Sequence, residues 1–222
     1  MGLDPKPPFP VDLAGIRSAD IADASEKLTG RRSHMSSAIR MIEGGALAGP
    51  ALTLHLVKDE SVSAMALGLA VVQAIEAAPA SAALVAVVED GADFAAFGAI
   101  LGVLIRARNL AGLVVDGSVR DRLDLRRIQL PTFARGVAAG SAGGHYRLAS
   151  VNKPLICGGV EVHPGDLVVG DEDGVAVAPK ARQHEIIAAA NKLQAEEGEL
   201  LKRIEAAGSY LKLMAPGSAS EE

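Results

Sequence analysis

Residues 112 to 121 read GLVVDGSVRD: an apolar run, Gly112-Leu113-Val114-Val115, stops at Asp116-Gly117, and Arg120 and Asp121 then stand side by side. A short continuous apolar run bounded by turn signals predicts a strand buried on both faces of a sheet. The stretch AALVAVVED, residues 82 to 90, repeats the pattern and also ends in acids. Between the two, DFAAFGAILGVLIRARN, residues 93 to 109, has the spacing and length of a helix. Strand, helix and strand within about thirty-five residues make a βαβ unit, whose strands are parallel. Ligands bind beyond the carboxyl ends of such strands. Both charged breaks, Glu89 to Asp93 and Asp116 to Asp121, are therefore expected to meet at one rim.

Upstream, SADIADASEKL, residues 18 to 28, opens on a serine suited to an N-cap, carries acids in its first turn and predicts a short helix. GPALTLHLV, residues 49 to 57, alternates apolar and polar positions as a strand does, and residues 61 to 77 form an alanine-rich helix. Downstream, residues 131 to 134 are a short strand, and LICGGVEVHPGDLVVGDEDGVAVAP, residues 155 to 179, holds several more. Their turns are marked by Gly158-Gly159, Pro164-Gly165-Asp166 and Asp171-Glu172-Asp173-Gly174. A long helix over residues 181 to 207 closes the pattern. The expected organisation is an extended proline-rich arm at 1–17, a single α/β domain at 18–214 and a disordered tail at 215–222.

Of the 222 residues, 49% are hydrophobic but only 3% aromatic, with no tryptophan, so the core is built from Ala, Val, Leu and Ile. A net charge of -5 argues against a nucleic-acid binder working through a basic surface. The single cysteine, Cys157, excludes an intramolecular disulfide and a thiolate metal cluster, which suits a reducing, cytoplasmic setting. The longest apolar stretch, residues 61 to 86, is broken by Gln73, Glu76 and Pro79, and no membrane span is expected.

Arg120 suits a carboxylate or oxo-acid group, because its planar fork donates two parallel hydrogen bonds. Asp121 offers oxygen to a hard divalent cation that keeps several of its waters. The plainer alternative is a helix N-cap, since Asp121 precedes RLDLRRI, with Arg120 paired to a neighbouring acid.

GLVVDGSVRD, followed by LPTFARG and GGVEVHPGDLVVGDEDGVAVAP, resembles the family of the regulator of ribonuclease activity A. That family also contains 4-hydroxy-4-methyl-2-oxoglutarate aldolases, which decarboxylate oxaloacetate as well. The likeness runs from SADIADAS, through GPALTL, to EEGELLKRIEAAGSYLKLM, and the paired motifs DG-x-x-RD and PGD-x-x-x-x-D-x-DGV are specific. It implies a layered α/β/α sandwich of the swivelling-domain type, with short strands in the C-terminal half and a long C-terminal helix. It also implies a homotrimer or homohexamer with its site at a subunit interface.

In the catalytic members, the resemblance implies, Asp121 anchors Mg²⁺ or Mn²⁺ partly through water, and Arg120 holds the 2-oxo oxygen and the enolate formed as a C–C bond breaks. The substrate carboxylate would rest on the amides of Gly98, Ala99, Ile100 and Leu101, a helix N-terminus. Glu196, or Glu197, from the C-terminal helix of a neighbouring subunit would complete the outer shell of the metal. The implied reaction needs no lysine Schiff base: retro-aldol cleavage of a 4-hydroxy-2-oxo diacid, or decarboxylation of oxaloacetate, releasing pyruvate. The aldolases usually carry an acid after the glycine that heads this helix, where this chain has Ala99; Asp90 and Asp93 are the acids nearby in sequence. Other family members bind a ribonuclease or its helicase partner, so the alternative is a non-catalytic regulator of RNA processing. A third is an enzyme acting on another carboxylated substrate.

Other polar residues take structural readings. His55 falls in a strand, His145 in the flexible stretch GSAGGHYR, and His163 before a turn. Asp166, Asp171 and Asp173 are turn-forming acids, and Cys157 is a small core residue. Arg31-Arg32 and Arg126-Arg127 are solvated or line an interface.

Overall fold

The computed structural model describes Leu13 and residues 15–214. Most of the expected arm, and the whole expected tail, lie outside the described residues. In chain order the elements are α1 (Ser18–Thr29), β1 (Arg40–Glu43), β2 (Leu47–Lys58), α2 (Ala64–Glu76), β3 (Ala83–Val88), β4 (Phe94–Phe97), α3 (Ala99–Ala107), β5 (Gly112–Val119), α4 (Arg122–Arg127), β6 (Thr132–Val137), β7 (Gly140–Ser141), β8 (Tyr146–Val151), β9 (Leu155–Cys157), β10 (Val160–Val162), β11 (Leu167–Asp171), β12 (Gly174–Ala178), α5 (Gln183–Ala207) and α6 (Tyr210–Met214). No helix among the described residues is long and apolar enough to cross a membrane.

Among the described residues one mixed sheet has the order β1-β6-β5-β3-β2-β11-β12, with β4 pairing β5, β7 pairing β4, and β8 pairing β2. Its centre, β6-β5-β3-β2, is parallel, as the βαβ reading requires. The long β2 serves two antiparallel partners in turn, β11 along its first residues and β8 along its last. Side chains of β3 and β5 alternate between two cores. Leu84, Ala86, Leu113 and Val115 pack under α2, α3 and α4, with Leu67, Val71, Ile105 and Leu125. Ala83, Val85 and Val114 face the other way, onto Met35, Ile39, Cys157 and Val160. That double burial explains why both strands read as unbroken apolar runs. A third cluster joins α1 and α5 to β11 and β12 through Ile21, Leu167, Val169, Ile186 and Ile187. The layered α/β expectation with a long final helix is met; the middle of the second face is covered by the β9–β10 hairpin.

Three local expectations change. The start of the stretch expected to be helical is β4, paired with β5, and the helix begins only after Gly98. GSAGGHYR is not a loop throughout, because its end enters β8. Ser18 is not the N-cap of α1: the cap position is Arg17, and the carboxylate of Asp171 accepts from both the Ser18 N–H and its hydroxyl, each at 2.6 Å.

Candidate active site

The carboxyl end of β5 delivers Arg120 and Asp121. The Arg120 N–H donates to the Phe97 carbonyl at 2.9 Å, tying the end of β5 to the end of β4. Asp121 then takes a left-handed conformation, φ 58° and ψ 40°, which a non-glycine residue adopts at a cost and which clusters at functional sites. Its carboxylate is thereby carried to the start of α3, where Oδ2 accepts from the Ala99 N–H at 3.0 Å. The N-cap expectation is thus half met. Asp121 occupies the cap position of α4 but makes no side-chain bond there, and it caps α3 instead.

Gly98 makes this approach possible. A Cβ there would stand 2.4 Å from Asp121 Oδ2 and 2.9 Å from Arg120 Cγ. One turn on, Gly102 lets α3 close onto α4, since a Cβ would meet Leu125 Cδ2 at 2.8 Å. Arg120 Nε lies 3.7 Å from Asp121 Oδ2, and the side chains are 41% and 39% exposed. The adjacent opposite charges therefore face one opening, and both keep polar atoms for a ligand. The Ile100 and Leu101 N–H groups belong to the first turn of α3, whose first helical bond is Gly102 N–H to Gly98 carbonyl; as first-turn donors they have no intrahelical acceptor.

These groups border a cavity of about 560 Å³ that takes in residues 95–101, Arg120, Asp121, Ser141 to Gly143, and one side of α2 including Met65, Leu69 and Val72. All the sequence-predicted residues of this chain end, Gly98, Ala99, Ile100, Leu101, Arg120 and Asp121, are brought together. Sequence reasoning missed α2 and Ser141. The available signal was that α2 is apolar beyond one face, with Gln73 and Glu76 its only polar side chains: Leu67, Val71 and Ile75 are its core face, yet Met65 and Leu69 are 80% and 55% exposed.

The expected single rim divides in two. Asp116 is inside β5 rather than at its end, and its Oδ2 accepts from the Gly158 N–H at 2.6 Å while Oδ1 pairs with Arg135. This bond holds the Arg135 guanidinium above its ordinary range. A second cavity gathers Asp90, Gly91 and Ala92 with Asp116 and Arg135. Asp90 is paired with Lys58, and neither it nor Asp93 lines the Arg120 cavity. Glu196 and Glu197 are also elsewhere within the chain, on α5: Glu196 lies 3.7 Å from Lys192, and Glu197 accepts from Arg17 at 2.7 Å.

The remaining structural readings agree with their surroundings. Asp166 is buried and accepts from the backbone of His163 and Lys180, and Asp171 closes its own turn onto Asp173 N–H. His145 packs its ring on Phe94 at 4.5 Å, while His163 is exposed beside Glu161. Cys157 is fully buried, and burial pushes its thiol far up.

No group of three or more His, Cys, Asp or Glu among the described residues could hold a metal. The donor set fits a narrower case: Mg²⁺ or Mn²⁺ that keeps most of its waters and takes one carboxylate. Asp121 would supply that carboxylate, with Oδ2 accepting from the Ala99 N–H and Oδ1 available to an ion or its water.

A family model described as RraA-like, Aldolase/RraA, matches residues 18–177. A Halalkalibacterium halodurans protein named "Putative 4-hydroxy-4-methyl-2-oxoglutarate aldolase" is 33% identical over 193 residues, 85% of each chain. Among solved structures, an uncharacterised protein of Pseudomonas syringae superposes with a TM-score of 0.78 at 25% identity, covering 90% of this chain and 92% of the other. RraAS2 of Streptomyces coelicolor, described as an unusual member of the RNase ES inhibitor RraA protein family, gives 0.72 at 27% identity, covering 85% and 92%.

Proposed function

Since the chain belongs to the RraA-like, Aldolase/RraA family, we propose that it is a divalent-metal-dependent lyase that breaks a C–C bond in a small 2-oxo acid and releases pyruvate. The observation that carries this is the convergence of Arg120, Asp121 and the first turn of α3 on one cavity. The Ile100 and Leu101 N–H groups bind the substrate carboxylate at the positive end of α3. Arg120 places its fork at the 2-oxo oxygen, where negative charge develops. In retro-aldol cleavage the 4-hydroxyl gives its proton to water, C4 becomes the carbonyl of the departing fragment as the C3–C4 bond breaks, and the electron pair of that bond moves to the 2-oxo oxygen as an enolate. The enolate then takes a proton at C3 to give pyruvate. In oxaloacetate the same bond breaks with loss of CO₂. Mg²⁺ or Mn²⁺, held by Asp121 partly through water, would supply Lewis-acid polarisation of the substrate oxygens.

A homotrimer or homohexamer completes the reading, with Glu196 or Glu197 of a neighbouring copy near the ion. Support comes from exposed apolar side chains: Met65 and Ile100 on the cavity wall, Val103 on α3, Leu123 on α4, and Leu201 and Leu211 on α5 and α6. The second reading, a non-catalytic regulator of RNA processing, is favoured by Ala99 where an acid is usual and by the likeness to RraAS2. Pyruvate release from oxaloacetate and from 4-hydroxy-2-oxo acids separates the two. Metal-dependent release supports the lyase. Its absence from every substrate, with tight binding of a ribonuclease, supports the regulator.

A further inference from the structure

We propose that Glu43, a buried acid outside the Arg120 cavity, is a positioning residue for Asp121. Through Arg122 and Arg126 it seats α4, and so holds the Asp121 carboxylate on the start of α3. The consequence for turnover rests on the lyase reading. What carries the proposal is that the chain is pinned on both sides of Asp121. Upstream, the Arg120 N–H is bonded to the Phe97 carbonyl. Downstream, Arg122 donates from Nε to Glu43 Oε1 at 2.9 Å and from Nη2 to the Ile42 carbonyl at 3.2 Å. Between the two pins one residue makes the turn, and Asp121 makes it in the left-handed conformation, which is costly without such restraint. That conformation sends its carboxylate back to the Ala99 N–H instead of along α4.

A helix of six residues does not hold itself, so α4 takes its place from what it touches. Leu125 is fully buried and packs at Gly102 of α3, a non-directional contact that sets the depth of the helix. Its rotation is set by Arg122 and Arg126, which are one turn apart and converge on one carboxylate. Arg126 donates from Nε to Glu43 Oε2 at 3.0 Å and from Nη2 to Oε1 at 2.9 Å. The end of β1 is shaped to receive them. Its register with β6 shifts between Met41 and Glu43, and such irregularities re-aim a side chain. Gly44 follows at φ 91°, so close to the Leu130 carbonyl that a Cβ would stand 2.5 Å from its oxygen. Among the described residues, the hydrogen bonds to the Glu43 carboxylate all come from α4. The latch therefore joins the end of β1 to the helix that begins at Asp121.

The test is hydrogen exchange of the Ala99 amide in the metal-free protein, followed by NMR. As a first-turn donor that amide has no intrahelical acceptor, so its protection reports the bond to Asp121. The wild type is expected to protect it, and Asp121→Ala to abolish the protection. Glu43→Gln, and the milder Arg122→Gln that leaves Arg126 on Glu43, are each expected to speed the exchange about tenfold or more, the scale of a hydrogen bond to a charged acceptor. Asp171→Ala, which weakens α1 instead of α4, is expected to exchange at the wild-type rate, so loss of stability alone does not move this readout. Pyruvate release per folded molecule should fall about 10- to 100-fold in both latch variants, the scale of misplacing a catalytic group by about 1 Å. Wild-type exchange in either latch variant overturns the proposal, as does equally fast exchange in Asp171→Ala. So does protection that Asp121→Ala leaves intact, an Ala99 amide unprotected in the wild type, or pyruvate release that neither latch variant diminishes in an active protein. The lyase reading fails separately: a wild type that releases no pyruvate, while Ala99 exchange still answers to Glu43, would sink the chemistry and leave the latch standing.

Discussion

The Asp121 carboxylate accepts a hydrogen bond from the Ala99 N–H, 3.0 Å away, so the residue that follows the β5 end caps the helix that follows β4. The bond crosses from one βα turn to the next and fixes the orientation of Asp121 before any ligand arrives. It also takes the outermost amide of α3, leaving those of Ile100 and Leu101 for a substrate carboxylate.

Gly98 is the space that permits this bond, and its φ of -158° is open to any residue. Gly98→Ala is therefore expected to act by collision, displacing Asp121 and the Arg120 stem. Pyruvate release should fall about 100-fold or more, the scale of losing a fixed charge-stabilising group, while the melting temperature changes little. A large drop in melting temperature with activity kept per folded molecule would contradict this.

Arg120→Lys keeps the charge but loses the planar fork. The expected result is a kcat lower by about 100- to 1,000-fold with unchanged folding by circular dichroism. Near-wild-type kcat would show that charge alone suffices.

Glu43 is 8% exposed and is held by Arg126 through both Nε and Nη2 and by Arg122. The Arg126 bonds, ahead of those from Arg122, lower its carboxyl below the ordinary 4.5. A lowered folded value contributes stability above the unfolded value and loses it as pH falls through the folded one. The melting-temperature gap between wild type and Glu43→Gln should be constant from about pH 6 to 8 and close below about pH 4. A gap that widens on acidification would reverse the sign.

Asp171 caps α1 from the β11–β12 turn through two bonds of 2.6 Å to Ser18. Asp171→Ala should cost about 2 kcal/mol, the scale of hydrogen bonds to a charged acceptor, and lower the melting temperature by about 4 to 8 °C. Activity per folded molecule should persist, because the turn is not part of the Arg120 cavity.

Much of this was legible in sequence where a local pattern decides the outcome. The runs of β3 and β5 announced double burial, the turn acids Asp166 and Asp171 announced turns, and Arg120-Asp121 stood out as charge at a strand end. What was hidden depends on partners distant in the chain. Phe94–Phe97 is too short for periodicity to separate strand from helix, and only pairing with β5 decides it. Asp116 looked like a strand end because its neutralising partners, Arg135 and the Gly158 amide, lie far along the chain. The α2 wall was hidden because a helix polar only at Gln73 and Glu76 does not say which of its apolar sides meets the core.

The most direct test of the lyase assignment is the initial rate of pyruvate formation from oxaloacetate with Mg²⁺, corrected for the protein-free blank, for wild type, wild type in EDTA, and Asp121→Ala. The account predicts release above the blank by the wild type with Mg²⁺, and rates at the blank for the other two. Wild-type release no faster than the blank, or equal release by Asp121→Ala, would contradict it.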